Sequence, residues 1–244
     1  MSYSVHGSGN AVIMLPGFFT DRSFWNPYLA VLDGFTVVAM DMRGCGDTRS
    51  EGPFTIGDMM DDVVRVMDSL GIWSAHVVGW DTGSAVGFAL ARSHPLRVRS
   101  LTMISPVLCD DMRTGTLYRR ILDRVMIGTS DIQSLSDAVN TFWASPRQLE
   151  NGMPVHRVSG DIRPLDLLLH LKATIPGDYE GESLHGVPAL TIYGSDDILS
   201  DGSCMRRFAE GAGSELLILE SEGHIPSPAS CMRKIVSFIR SNDG

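Results

Sequence analysis

The sequence contains no long apolar run and few positive charges. No stretch approaches the about 18 consecutive apolar residues of a membrane-spanning helix, so we expect no membrane span. Its 20 basic residues are outnumbered by 29 acidic ones, and only Lys172 and Lys234 are lysines. Proteins that bind nucleic acids need a basic surface to neutralise phosphates, whereas this chain has a net charge of −9. Membrane-spanning and nucleic-acid-binding proteins are therefore both disfavoured.

The motifs of common metal and cofactor sites are also missing. The four cysteines are widely separated and show no CxxC spacing: Cys45, Cys109, Cys204 and Cys231. With no disulfide framework or zinc site visible, we expect reduced thiols in a cytoplasmic protein. No basic segment followed by an apolar run lies near the start of the chain, so we expect no signal peptide. The histidines lack metal-ligand spacing and no phosphate-binding glycine motif follows a strand, so we predict no metal and no cofactor.

Short apolar runs alternate with helical patterns through most of the 244 residues. This alternation is typical of a parallel sheet with crossover helices, and a chain of this length can form one such domain. One predicted helix covers Ile56–Leu70 and ends at Gly71, and Tyr3 and Val5 precede an apparent hairpin turn at residues 7–10. The predicted strands are Ala11–Leu15, Thr36–Met40, Ala75–Trp80, Ser100–Ile104, Val187–Tyr193 and Glu215–Leu219. The predicted fold class is α/β, with a mostly parallel sheet and flanking helices.

The alternation stops between about residues 107 and 186. This interval has no convincing strand, but it contains helical patterns punctuated by prolines. The helical patterns are Leu117–Met126, Ile132–Phe142 and Leu165–Ala173. We therefore expect a core formed by residues 1–106 and 187–244, with a helical insertion at 107–186.

The strand Ala75–Trp80 leads directly into Gly79-Trp80-Asp81-Thr82-Gly83 and then into a helix rich in small residues. This order is typical of a nucleophile elbow, G-x-Nu-x-G, in which a sharp turn holds the central side chain above the sheet. The central residue is commonly serine, but here it is Asp81. The pattern predicts that Asp81 is the reactive group.

Three other segments follow predicted strands and complete a catalytic pattern. The turn Pro16-Gly17-Phe18 can direct a backbone N–H at the site, Gly194–Asp197 supplies an acid, and Gly223-His224 supplies a base. The order nucleophile, acid, histidine is that of the α/β-hydrolase triad. Asp197 is the expected acid, and neighbouring Asp196 is an alternative. The aspartates after the fourth listed strand could also replace it: Asp110 and Asp111.

The sequence resembles the α/β-hydrolase superfamily over essentially its whole length. The segments that carry the resemblance are Pro16–Phe18, Asp41–Asp47, Gly79–Gly83, Gly194–Asp197 and Gly223-His224. The helical insertion resembles the family's cap domain, while Pro16-Gly17 stands where the family usually has His-Gly. The aspartate at the elbow is similar to that of epoxide hydrolases and haloalkane dehalogenases.

The chemistry of a carboxylate agrees with that branch. A carboxylate is already anionic at neutral pH and suits attack on an sp³ carbon, which would give an alkyl ester on Asp81. His224, oriented by Asp197, would then activate water to hydrolyse the ester. The backbone N–H groups of Phe18 and Thr82 would hold the oxyanion.

The resemblance also separates substrate classes within the branch. Dehalogenases carry a halide-binding tryptophan directly after the nucleophile, where this chain has Thr82, and epoxide hydrolases use cap tyrosines to protonate the opening oxygen. We therefore expect an epoxide, with Tyr118 as the better tyrosine candidate than Tyr179. Trp80 and Tyr118 are the substrate-binding candidates.

Other functions remain open from the sequence. Asp81 could act as a base in a lyase or cyclase, or in hydrolysis of an ester, lactone or thioester. The chain could also be a serine enzyme altered at one position, or a protein that binds a ligand on this fold without catalysis. The expected partner is a small molecule, and nothing in the sequence indicates an oligomeric state.

Overall fold

The computed structural model describes residues 1–18, 20–108, 116, 120, 123, 143–151, 163–174, 179 and 181–244. Cys109, Asp110, Asp111 and Tyr118 lie outside the described residues. In the described part of the chain, no helix combines the length and apolar character needed to cross a membrane.

The described core is built on a seven-stranded sheet with the spatial order β1-β3-β2-β4-β5-β6-β7. The strands are β1 (Tyr3–Gly7), β2 (Asn10–Leu15), β3 (Phe35–Met40), β4 (Ala75–Trp80), β5 (Val98–Ile104), β6 (Ala189–Gly194) and β7 (Glu215–Leu219). All neighbouring pairs are parallel except β1 and β3, which are antiparallel. The α/β fold class and the mostly parallel sheet are therefore confirmed.

Helices cover both faces of this sheet. They are α1 (Asn26–Leu29), α2 (Ile56–Ser69), α3 (Thr82–Ser93), α4 (Pro146–Glu150), α5 (Pro164–Thr174), α6 (Gly202–Ala212) and α7 (Pro228–Ser241). Alternate residues of β2 enter two separate apolar cores: Ile13 packs on the side of α2, α3 and α6, and Val12 on the side of α1 and α7. Because both faces are covered, β2 and β4 are buried on both sides and consist mainly of apolar residues, which is why the sequence shows them as apolar runs.

Helix α2 follows the predicted pattern closely. Thr55 and Asp58 form a capping box at its start, and Met59, Val63 and other apolar residues at helical spacing are buried. Gly71 follows its end with φ +68°, a conformation that favours glycine.

The expected hairpin between β1 and β2 is wrong. Both strands pair with β3, one on each side, so residues 7–10 carry the chain across the start of β3. A Cβ on Gly9, which has φ +123°, would lie 2.0 Å from the carbonyl oxygen of Gly34. Only glycine permits this close approach of the two backbone segments. A glycine-rich segment of this kind is also typical of a tight turn, which is why the sequence suggested a hairpin.

The expectation that all thiols are reduced also needs correction. Cys45 and Cys231 are buried thiols, but Cys204 is disulfide-bonded. Cysteines that are far apart in the sequence can be close together in the fold. The absence of a CxxC motif therefore does not exclude a disulfide.

The start of α3 packs directly against the end of β2. A Cβ on Gly83 would lie 2.1 Å from the carbonyl oxygen of Leu15 and 2.7 Å from that of Pro16.

We predict that Gly83→Ala lowers the free energy of unfolding by at least about 2 kcal/mol, because the backbone must move to admit the methyl group. Urea denaturation measures this change.

Gly52→Ala is the matched control, since nothing lies within 4 Å of a Cβ at that position. We expect the free energy of unfolding of Gly52→Ala to be no lower than that of the wild type. Equal stability of the two variants would contradict the close packing of α3 on β2.

Candidate active site

Asp81 occupies the sharp turn between β4 and α3. Its backbone has φ 51° and ψ −119°, a region that residues other than glycine rarely adopt. Such a conformation costs on the order of 1–3 kcal/mol and persists only where surrounding contacts enforce it. The Asp81 N–H donates to the carbonyl of Ile104 at 3.0 Å, and Ser84 N–H donates to the carbonyl of Asp81 at 3.0 Å. The strained turn thus fixes the carboxylate at the carboxyl end of the sheet.

The turn after β2 supplies a hydrogen-bond donor to this carboxylate. Phe18 N–H donates to Asp81 Oδ2 at 3.2 Å, and the turn is closed by Thr20 N–H donating to the carbonyl of Gly17 at 3.3 Å. A Cβ on Gly17 would lie 2.5 Å from the Trp80 ring and 2.7 Å from the Asp81 Cβ. Glycine at this position therefore lets the donor approach the carboxylate.

Thr82, the second expected donor, is the first residue of α3. Helix geometry leaves its backbone N–H without an intrahelical acceptor. The Thr82 hydroxyl is buried and has no hydrogen-bond partner among the described residues. The structure therefore places a backbone donor and an unused hydroxyl next to Asp81.

His224 lies between two carboxylates. Its Nδ1–H donates to Asp197 Oδ2 at 2.9 Å, and its Nε2 lies 3.9 Å from Asp81 Oδ2. All three side chains are buried. Asp197 is itself held by Leu199 N–H, which donates to Oδ1 at 2.9 Å. Asp196 is exposed and accepts a hydrogen bond from Ser195, so of the two adjacent aspartates Asp197 is the one in contact with His224.

The two carboxylates determine the charge of His224. Burial lowers its pKa, but the adjacent Asp197 and Asp81 carboxylates outweigh burial and raise the pKa to about 10. The imidazole is therefore protonated at neutral pH. Removing the charge of Asp81 would lower the pKa of His224 and favour its neutral form, which can accept a proton.

Trp80 lies behind His224 in the core. Its indole N–H donates to the backbone carbonyl of His224 at 2.8 Å, and its side chain is completely buried. Trp143 also packs against the imidazole, with ring centroids 6.3 Å apart and the planes 26° from parallel. The structure thus places Trp80 in the core against the backbone of His224, whereas Tyr118 lies outside the described residues. No sequence motif marked Trp143.

His170 of α5 lies near the turn that carries Phe18. Its ring centroid is 5.4 Å from that of Phe18, and its Nδ1 lies 3.1 Å from the carbonyl oxygen of Arg43. Burial lowers the pKa of His170 to about 4, against the opposing effects of the Arg43 carbonyl and the Asp81 charge. A neutral imidazole therefore lies beside the site.

Within the described ranges, no group of three or more His, Cys, Asp or Glu residues is placed to hold a metal ion.

Comparisons with known proteins agree with the fold described above. A family model described as the alpha/beta hydrolase fold matches residues 10–227. The chain is 39% identical over 223 residues to a protein of Caulobacter segnis named carbamate hydrolase RutD, covering 85% of this chain and 82% of that protein. It is 30% identical to the protein of the same name from Caulobacter sp. strain K31, covering 97% and 94%.

Solved structures show the same fold at lower identity. The enol-lactonase from Burkholderia xenovorans LB400 is 24% identical, with a TM-score of 0.85 over 98% of this chain and 96% of that one. A thermophilic esterase from Thermogutta terrifontis is 21% identical, with a TM-score of 0.84 over 100% and 94%.

The low pKa of His170 predicts a pH-dependent loss of stability. Below pH about 6.5 the unfolded chain binds a proton at this histidine, whereas the folded chain does not until the pH approaches about 4. The stability present above pH 6.5 is therefore lost as the pH falls towards 4. We predict that His170→Gln loses less unfolding free energy than the wild type between pH 7.5 and pH 5, as measured by urea denaturation.

His6→Gln, at an exposed histidine, is the control and should follow the wild-type pH dependence. Parallel pH profiles for the wild type and His170→Gln would show that His170 does not contribute this effect.

Proposed function

Because the chain belongs to the alpha/beta hydrolase family, we propose that it is a hydrolase that works through a covalent ester on Asp81. The substrate is a small molecule with an electrophilic sp³ carbon, and an epoxide is the leading class. One observation carries this proposal: a carboxylate, rather than a hydroxyl, occupies the strained elbow within 3.9 Å of the His224 Nε2.

The orientation of the carboxylate supports a role as nucleophile. Asp81 Oδ2 accepts a hydrogen bond from Phe18 N–H, and in this proposal Oδ1 attacks the substrate. Oδ2 would become the carbonyl oxygen of the ester. When water then attacks Cγ, the negative charge would develop on Oδ2, next to a donor that is already in place.

The first step uses the proton that His224 carries at neutral pH. Asp81 Oδ1 forms a bond to an epoxide carbon, the carbon–oxygen bond of the ring breaks, and the oxygen takes the proton of the His224 imidazolium. His224 is left neutral beside an uncharged ester, as the second step requires. The predicted proton donor Tyr118 would be an alternative source of this proton.

The second step regenerates the enzyme. Neutral His224 takes a proton from water, and the hydroxide adds to Asp81 Cγ. Collapse of the tetrahedral intermediate expels the alkoxide of the product, which takes the proton of the new carboxyl group. The site returns to an ionised Asp81 and a protonated His224, and the net reaction adds one water to the epoxide to give a diol.

The names of the relatives favour a second candidate, hydrolysis of a carbamate. Asp81 would then act as a base on water that attacks the carbamate carbonyl. Such a carbonyl oxygen would need to take the Phe18 N–H from Asp81 Oδ2. The substrate carbonyl and Asp81 Oδ2 would thus compete for the same N–H group, so we rank carbamate hydrolysis below the covalent mechanism.

We predict that His224→Ala accumulates the ester when incubated with a panel of epoxides, haloalkanes and carbamates. Ester formation is slower in this variant, because the alkoxide must take its proton from water, but no base remains to hydrolyse the ester. Intact-protein mass spectrometry should show a gain equal to one whole epoxide. A gain of the alkyl group alone would instead indicate dehalogenation.

Asp81→Asn combined with His224→Ala is the matched control and should show no mass gain. If no epoxide modifies His224→Ala while the wild-type enzyme hydrolyses a carbamate of the panel, the second candidate replaces the first.

A further inference from the structure

The loop that carries His224 is held by hydrogen bonds from distant parts of the chain. Side chains from three separate elements donate to its backbone carbonyl groups, and one backbone N–H does so as well. Ser145 Oγ donates to the carbonyl of Ser221 at 2.7 Å, and Asp196 N–H donates to that of Glu222 at 3.0 Å. Trp80 Nε1 donates to the carbonyl of His224 itself at 2.8 Å. The Tyr28 hydroxyl donates to the carbonyl of Pro226 at 3.0 Å. The position of the imidazole therefore depends on contacts outside its own loop.

Gln148 of α4 contacts this loop on both sides of His224. Its Oε1 accepts a hydrogen bond from Gly223 N–H at 2.9 Å, and its Nε2 donates to the carbonyl of Ile225 at 2.8 Å. The same Nε2 also donates to the carboxylate of Glu222. One buried amide thus binds the residue before and the residue after the histidine.

The backbone before α4 also approaches this loop closely. Ile225 N–H donates to the carbonyl of Trp143 at 3.1 Å. A Cβ on Gly223 would lie 2.4 Å from that same carbonyl oxygen and 2.6 Å from the nitrogen of Ser145. Only glycine allows this approach, which brings the amide of Gln148 within reach of the loop.

Capping of α4 does not account for all of these bonds. Gln148 Oε1 accepts from Ser145 N–H at 2.8 Å, and Gln148 N–H donates to Ser145 Oγ at 3.1 Å, which completes a capping box. A capping box needs only the acceptor oxygen of the side chain. Both bonds from Nε2 go to the His224 loop, so the donor half of the amide serves the loop.

We propose that Gln148 is a positioning residue for His224. It fixes the loop so that Nδ1 stays on Asp197 and Nε2 stays 3.9 Å from Asp81 Oδ2. Its effect on turnover rests on the role proposed above for His224, whereas its effect on the geometry of the histidine does not.

Three variants distinguish positioning from capping. Gln148→Leu removes all the side-chain hydrogen bonds of the amide. Gln148→Glu keeps an acceptor for the capping box, loses the donor to Ile225, and places a second carboxylate beside Glu222. Leu149→Ala is the matched control, because Leu149 is the next residue of the same helix and is 41% exposed.

The first measurement needs no substrate. The proton on His224 Nδ1, hydrogen-bonded to buried Asp197, should give a low-field resonance in the proton NMR spectrum. We expect this resonance to move upfield or broaden in Gln148→Leu and in Gln148→Glu, and to stay unchanged in Leu149→Ala. Adding Glu222→Gln to Gln148→Glu restores a donor between the two side chains and should partly recover the wild-type signal.

A wild-type resonance in Gln148→Glu would overturn the proposal, because it would leave only the capping role. An equal change in Leu149→Ala would also overturn it. If Gln148→Leu fails to fold, as judged by circular dichroism, Gln148→Glu and its rescue decide the question.

The second measurement uses a substrate that the wild type hydrolyses. Since small misplacements of a catalytic group can lower rates by about 100-fold, we expect kcat to fall roughly 10- to 100-fold in Gln148→Leu and Gln148→Glu. KM should change little, and Leu149→Ala should match the wild type. An altered resonance with unchanged kcat would contradict the catalytic importance of this positioning. Absence of an ester in His224→Ala would count against the proposed function and leave the NMR result intact.

Discussion

One imidazolium held between two buried carboxylates sets the constraints for the rest of the site. His224 contacts Asp197 through Nδ1 and faces Asp81 through Nε2, and none of the three side chains is exposed to solvent. Isolated buried charges are costly, so each carboxylate depends on the proton of the histidine and on nearby backbone donors. Phe18 N–H serves Asp81 and Leu199 N–H serves Asp197. The same attraction raises the pKa of His224 to about 10, so the ionisation of the imidazole depends on the charge of Asp81.

The fold satisfies these constraints through close approaches between backbone segments. The site lies where β2, β4, β6 and β7 end at one edge of the sheet, and glycines at the contacts allow the segments to meet. A Cβ on Gly17 would strike Trp80, and a Cβ on Gly194 would lie 2.3 Å from the carbonyl oxygen of Glu222. Larger residues at either position would push apart the segments that carry Asp81, Asp197 and His224. Strain at Asp81 is maintained by this packing.

Much of this arrangement could be predicted from the sequence, because the three candidate catalytic residues follow strands in a recognisable order. Asp81 directly follows β4, Asp197 lies three residues after β6 and His224 five residues after β7, and the parallel sheet brings the ends of these strands to one edge. The pairing of β1 with β3 and the disulfide of Cys204 depend on non-local contacts and were not predicted. Gln148 was missed for the same reason. Ser145 and Gln148 have the spacing of a capping box, but nothing in that spacing indicates that the amide also binds the loop of a histidine more than 70 residues later.

The central claim is that Asp81 bonds covalently to the substrate, and a single turnover in water labelled with ¹⁸O tests it most directly. The wild-type enzyme is mixed in excess with an epoxide or carbamate that it hydrolyses, and both the product and the peptide containing Asp81 are analysed by mass spectrometry. Because water would attack Asp81 Cγ, the account predicts that the label enters the Asp81 carboxylate and that the first product molecules are unlabelled. Label in the product with an unlabelled Asp81 would show direct attack by water and would contradict the account.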